Sequence, residues 1–365
     1  MSKLKIKSKE MTSLVINAIS VKLLFSFPRA LVVRSGSAAW IQMIYMTLIA
    51  LFIFYITVKA YEKAGMQDVV TLAERVGKKP LKIVVGLVVT VILLLNMSIN
   101  MRFFPEIVNE VLLPDTPMEF IILLFAVSVA FGAYMGIDSI SRIHALFLPI
   151  AGVVLFIFIL LLVPMFHVNN LFPFFGKGTY NIFVKGLDEL RIFADILMLN
   201  ILLPFCGDKK SAQKSGFMAI GISGFVGALI AFVFVMIFPY PASEEFVTPL
   251  YMLARLVRIG RFFQRLEAVF EFVWSIAMLL YSSLYLFALC QVWKETFGLK
   301  YYKPVIVPMI TLVVMLSLLP ETIVDLYNRN ILVSAVLYPM AFALPIIIGI
   351  LYRFKVRRRD QVEKG

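Results

Sequence analysis

Ten charge-poor apolar runs, most of them about 20 residues long, follow one another along this 365-residue chain with only short charged stretches between them. About 20 apolar residues in helical form span the ~30 Å hydrocarbon core of a bilayer. Inside that core no water satisfies the backbone, so only helices or closed barrels cross it. The runs are continuous and do not alternate apolar with polar, which predicts helices and not barrel strands. They fall at 11–34, 38–59, 81–101, 118–135, 143–166, 184–204, 216–239, 267–293, 304–320 and 332–352, the first and sixth being the least regular. Hydrophobic residues make up 61% of the chain and charged residues 16%, against about 25% charged in a soluble domain. The prediction is an all-α membrane protein with a single transmembrane domain over 11–352. A basic cytoplasmic amino terminus, 1–10, precedes it and a basic cytoplasmic tail, 353–365, follows. The first run lacks a small-residue cleavage site and is read as a retained span.

Lysine and arginine placement sets the orientation. With the amino terminus inside, about two thirds of the 35 cationic residues fall on the cytoplasmic side, including Lys3 to Lys9, Lys59 to Lys82, Lys209 to Lys214 and Arg353 to Lys364. Both termini are therefore expected in the cytoplasm. The net charge of +13 is a topology and anionic-lipid signal; nucleic-acid binding would need a soluble basic domain, and the pattern leaves no room for one. Loop 240–266 breaks the bias. There Leu250, Leu253, Ala254, Leu256, Val257 and Ile259 interleave with Arg255, Arg258 and Arg261 at helical spacing, which reads as an interfacial helix capping the outer mouth. A misplaced span that reverses the second half is the competing explanation.

Ionisable residues at membrane depth are costly, so each marks a site until explained otherwise. Lys22 falls near the middle of the first run, between Ser20 and Ser26, with Pro28 disturbing the turn before it. The bland reading is a lysine that snorkels to the headgroups; the functional one is a buried cation at a broken helix that attracts a carboxylate. Asp195 lies well inside the sixth run, nine residues before Pro204. Asp188, Glu189 and Arg191 read as a solvated helix start at the outer mouth. Asn96, Ser98 and Asn100 form a polar stripe in the third run, where hydrogen bonding between helices is the ordinary explanation. Glu267, Glu271, Trp274, Ser275, Tyr281, Ser282 and Ser283 form another in the eighth, with Glu267 and Glu271 expected to pair with Arg265.

No phosphate loop, zinc-protease helix or nucleophile elbow occurs, so no enzyme activity and no cofactor are expected. Cys206 and Cys290 stand in no metal or redox spacing and read as structural thiols. His144 and His167 are too few for an imidazole metal site.

Four segments carry a resemblance. They are Phe27-Pro28-Arg29-Ala30-Leu31 with Gly36 and Trp40; Gly136 to Arg142 followed by Leu146 to Ile150; Leu202-Leu203-Pro204-Phe205 followed by Asp208 to Ala212; and Pro249 to Leu256 with Ile259-Gly260 and Arg265 to Ala268. Together, in this order and spacing, they resemble the spore germination permease family. These are the B-type subunits of bacterial germinant receptors, within the amino acid–polyamine–organocation superfamily. The resemblance implies ten helices in two inverted five-helix repeats of LeuT-like type, about 11–166 and 184–352. Helices 1 and 6 would be broken, with a ligand between them.

The two breaks coincide with Lys22 and Asp195. Relatives usually carry Glu at the position of Asp195, after a Phe-Gly pair that here is Phe193-Ala194. They also tend to have a glycine-rich break where this chain has Val21-Lys22-Leu23. A Lys22–Asp195 ion pair bridging the broken helices is the resulting expectation, opened or rearranged by ligand. The expected ligand-binding residues are Lys22, Leu23, Phe25, Ser26, Asn96, Asn100, Asp195, Tyr281 and Ser282. The implied function is germinant sensing in the spore inner membrane or the bacterial cell membrane. The implied ligand is a small nutrient, most simply an amino acid, and the implied partners are an A-type membrane subunit and a C-type lipoprotein. A proton- or sodium-coupled secondary transporter is the alternative.

Overall fold

The computed structural model describes residues 6–23, 27–246, 248–257, 266–320 and 323–362, with no strand among them. The first crossing is two helices, α1 (Ser8–Ser20) and α2 (Phe27–Ser35). α1 closes on hydrogen bonds from Val21 N to Asn17 O and from Leu23 N to Ser20 O. Pro28, lacking an N–H, suits the first turn of α2, where that donor has no helical partner. Next come α3 (Ala39–Ala60), α4 (Val69–Val111), α5 (Met118–Met135) and α6 (Ile137–Leu162). These complete the first five-helix repeat.

α4 runs well beyond the window read from its apolar content. It starts at an Asp68 cap, whose Oδ1 accepts from Val70 N and Thr71 N at 2.9 Å each. Burial holds that carboxyl above the usual carboxylate range, against the Thr71 and Val70 donors. α4 then bends at Gly77 and Lys78, the latter left-handed at φ 59°. It continues past 101, where Phe103, Phe104, Ile107 and Val108 are buried and Arg102 and Glu106 pair across one turn at 2.9 Å.

After the short loop helix α7 (Thr179–Phe183), the sixth crossing begins irregularly. A 12-residue 3₁₀ stretch, Lys185–Ile196, leads into α8 (Leu197–Leu202), and a 3₁₀ turn, Leu203–Phe205, closes the crossing. Runs of 3₁₀ geometry beyond three or four residues are uncommon and often mark a hinge. The second repeat continues with α9 (Lys209–Ile237), then α10 (Pro249–Leu256), α11 (Leu266–Phe297), α12 (Ile306–Ser317) and α13 (Ile323–Val362).

α10 buries Leu250, Leu253 and Ala254 and leaves Arg255 exposed, the amphipathic face expected of a capping helix. Arg258, Ile259, Arg261 and Arg265 lie outside the described residues. Seven helical segments among the described residues are individually long and apolar enough to cross a membrane. The remaining three of the ten crossings are the two broken helices and the 12-residue α12; α2 runs on into α3 within the first of the seven segments, Phe27–Ala60.

α1 packs against α9, α6 and α11, and α11 also packs on α4 and α5, so these two elements form the buried centre. Close approach depends on small residues. A Cβ on Gly86 of α4 would collide with Thr296 of α11, and one on Gly224 of α9 with Thr47 of α3. The two broken helices also meet at one end, where Ile6 N donates to Phe205 O at 2.9 Å. Cys206 and Cys290 are buried free thiols.

Candidate functional site

Each of the two interrupted crossings delivers one charged side chain to the middle of the bundle. Lys22 leaves the turn after α1, and Asp195 sits on the penultimate residue of the 3₁₀ stretch. Lys22 Nζ lies 2.5 Å from Asp195 Oδ2, with the lysine side chain 17% exposed and the aspartate 1%. The second carboxylate oxygen accepts a hydrogen bond from the Tyr285 hydroxyl of α11. Lys22 Nζ also stands 5.6 Å from the centroid of the Tyr338 ring, on a face that favours a cation.

A polar network adjoins the pair. Tyr281 stacks on Tyr285 with ring centroids 4.5 Å apart and donates to Asn96 Oδ1 at 3.0 Å. Asn96 Nδ2 contacts the Tyr338 hydroxyl at 3.3 Å. Asn100 Nδ2 donates to Asn96 Oδ1 at 2.8 Å. Five elements thus converge on two opposite charges held almost free of water, where each charge depends on the other.

The structure brings Lys22, Asp195, Asn96, Asn100 and Tyr281 into one network. Ser282 is buried beside Tyr281 but adds no hydrogen bond to the pair among the described residues. Leu23 is buried with its side chain toward Gly227 of α9, so its contribution is packing. Phe25 and Ser26 lie outside the described residues. Tyr285 and Tyr338 were not singled out from sequence. Tyr285 lies one helical turn beyond Tyr281 on the same face, so the spacing held the signal for it; Tyr338 sits in a long apolar run where a tyrosine carries none.

One further expectation changes. Glu189 is not part of a solvated helix start: its side chain is 4% exposed and accepts from Arg191 at 2.9 Å, with Arg34 of α2 at 3.8 Å. Only Asp188, paired with Arg34 at 3.1 Å and 65% exposed, is solvated. The arginines allow a carboxylate to be buried next to the break between the two crossings. Glu271 is buried, and its Oε2 has no hydrogen-bond partner among the described residues; Arg265, its expected partner, lies outside them. A cavity of about 310 Å³ lies at the other end of the sixth crossing. Ile201, Pro204 and Phe205 border it, together with Gln67, Asp68 and Lys294.

The described residues contain no group of three or more metal-ligating side chains. The family model for "Spore germination protein" matches residues 5–326. Spore germination protein A2 of Bacillus subtilis (strain 168) is 26% identical over 307 residues, covering 81% of this chain and 82% of that one. Spore germination protein YndE of the same organism is 22% identical over 365 residues, covering 97% and 98%. Among solved structures, Mhp1, a nucleobase-cation-symport-1 family transporter with bromovinylhydantoin bound, superposes with TM-score 0.66 at 11% identity, over 98% of this chain and 93% of that one. MhsT in complex with L-phenylalanine gives TM-score 0.66 at 15% identity, over 92% and 87%. At such identities the two transporters establish the shared fold and nothing finer.

Proposed function

The chain belongs to the spore germination protein family, and from that premise we propose that it is a membrane-embedded germinant-sensing subunit. It binds a small nutrient, most simply an amino acid, between broken helices 1 and 6. The observation that carries this reading is the Lys22–Asp195 contact at 2.5 Å. An ammonium and a carboxylate held together across two interrupted helices form a site that a zwitterion satisfies from both ends. The ligand carboxylate replaces Asp195 at Lys22, and the ligand ammonium replaces Lys22 at Asp195. Such an exchange alters the relation between the two crossings without any bond being made or broken, which suits sensing. Asn96, Asn100, Tyr281, Tyr285 and Tyr338 complete the lining. In this reading both termini face the cytoplasm, the membrane is the spore inner membrane or the bacterial cell membrane, and the binding signal passes to an A-type subunit and a C-type lipoprotein.

A thermal-shift screen of purified protein in detergent tests it, using the twenty amino acids, sugars and nucleosides. A ligand that binds only the folded state at 100 times its Kd adds about 2.7 kcal/mol. The expected result is a specific stabiliser whose effect disappears in Lys22→Ala and in Asp195→Ala. A stabiliser that acts equally on both variants would remove the site from the reading.

Secondary transport is the second reading, favoured by the 310 Å³ cavity bordering Ile201 and Pro204. It gives the sixth crossing an opening at the end away from the Arg34–Asp188 contact. Uptake of the stabilising ligand into liposomes carrying the purified protein, driven by a proton or sodium gradient, separates the two.

A further inference from the structure

His144 of α6 is fully buried, and both of its ring nitrogens are engaged. Nδ1 lies 2.7 Å from Ile140 O. A carbonyl only accepts, so Nδ1 carries the hydrogen. Nε2 lies 3.2 Å from Asn17 Nδ2 of α1. The same Asn17 nitrogen lies 3.1 Å from Ala277 O of α11, which identifies it as the amide's donor end and fixes the amide's orientation. Nε2 is therefore the acceptor, and the imidazole is neutral. One histidine and one asparagine fasten α1 to α6 and α11 at once.

We propose that the His144–Asn17–Ala277 cluster is a proton-binding site and that proton uptake releases α1 from α6 and α11. A proton taken from water onto Nε2 sets an N–H against the N–H of Asn17. Turning the amide to present its oxygen to the imidazolium would remove the donor from Ala277 O. Either way one buried contact is lost, so the docked arrangement excludes the proton and the undocked one accepts it.

Among the described residues, no charged side chain forms a hydrogen bond or ion pair with His144, whose ring contacts are Ile140 O and Asn17 Nδ2. Lys9 and Glu10 lie at the far start of α1, and Lys22 is held by Asp195. α11 carries Glu267, Glu271, Tyr281, Tyr285, Cys290, Lys294 and Glu295; α5 carries Glu119 and Tyr134; α10 carries Tyr251 and Arg255; α6 itself carries Asp138 and Arg142. Asn17 stands five residues before Lys22, so release of α1 moves the base from which Lys22 reaches Asp195. The proton then acts as a second ligand, coupled to whatever the pair binds. The inference rests on the His144 contacts and not on the germinant reading.

Two measurements on the full chain in detergent micelles test it. The sequence has only two histidines, so in His167→Gln protein a selectively ¹⁵N-labelled imidazole signal belongs to His144. Its protonation is followed by NMR, and exchange of the α1 amides by mass spectrometry, both between about pH 8 and pH 5. The expected result is that both change over one pH range. The opening constant of α1, corrected for intrinsic exchange, should rise by up to about tenfold per pH unit, as one bound proton requires. In His144→Gln the pH response of α1 should vanish. If that variant does not fold, Asn17→Ala replaces it: with the opposing N–H gone, His144 should protonate at higher pH than in the parent. Protonation of His144 with α1 still protected would overturn the proposal. So would an imidazole that stays neutral until global unfolding, or an α1 response that persists without His144.

Discussion

Removing either member of the Lys22–Asp195 pair alone should destabilise the protein more than removing both. The carboxylate is 1% exposed and the lysine nitrogen is buried as well, but the two single changes differ in the polar partners they leave behind. Lys22→Met leaves Asp195 charged, dry and supported only by the Tyr285 hydroxyl. Deleting one partner of a buried pair costs about 3–5 kcal/mol, and this change belongs in that range. Asp195→Asn keeps an oxygen for Tyr285 and leaves the buried ammonium the amide oxygen and the face of Tyr338, 5.6 Å away; it should cost about 1–3 kcal/mol. The double variant Lys22→Met/Asp195→Asn has no unpaired charge and should fall within about 1–2 kcal/mol of the parent, since replacing both charges of such a pair is often nearly neutral. The coupling between the sites is then at least about 2 kcal/mol, large for two residues. Equilibrium unfolding by SDS titration in mixed micelles measures all four proteins. Additive losses, with the double variant worst, would refute the view that each charge is stabilised chiefly by the other.

Tyr285→Phe should cost about 1.5–3 kcal/mol by depriving a buried carboxylate of a hydrogen bond, and clearly less in the Asp195→Asn background; equal losses in both would detach Tyr285 from the carboxylate. Gly86→Ala should cost about 1–3 kcal/mol because the added methyl meets Thr296, whereas Gly221→Ala, with open space at its Cβ, should be neutral or favourable by up to about 1 kcal/mol. The same SDS titration checks both, and similar effects at the two sites would contradict the packing of α4 on α11. Asp68 has a folded-state pKa raised by burial. Its contribution is therefore fully present below the ordinary aspartate value and is lost as pH rises through the raised one. Asp68→Asn, neutral throughout, should gain on the parent in melting temperature as pH climbs from about 4 to about 7, and a constant difference would contradict that sign.

The ten crossings were legible because hydrocarbon thickness imposes a length on every apolar run. The breaks were legible for a related reason: a lysine and an aspartate inside such runs have no cheap alternative to each other, and Lys22 and Asp195 do meet. What the sequence hid was mostly lateral. Glu189 reads as solvated beside Asp188, and only the approach of Arg34 from another crossing explains its burial. Tyr338 and His144 gain meaning from α1, at sequence separations no periodicity spans. The length of α4 escaped a hydropathy window because charged residues interrupt it near both ends, Lys78 to Lys82 and Arg102 with Glu106, while buried Phe103, Phe104, Ile107 and Val108 continue its apolar face.

The 3₁₀ stretch of the sixth crossing also has a mechanical consequence. Its 12 residues extend about 24 Å at ~2.0 Å per residue, where α geometry would occupy about 18 Å. The segment therefore holds about 6 Å of slack, close to one α-helical pitch. Each residue that relaxes to α geometry shortens it by about 0.5 Å and rotates everything beyond by about 20°, from 120° to 100° per residue. Asp195 stands near the end of this screw, so a few relaxed residues swing its carboxylate away from Lys22 while α8 is drawn along the axis. A small change in winding is thereby geared to both a rotation at the charge pair and a translation at the far end of the bundle.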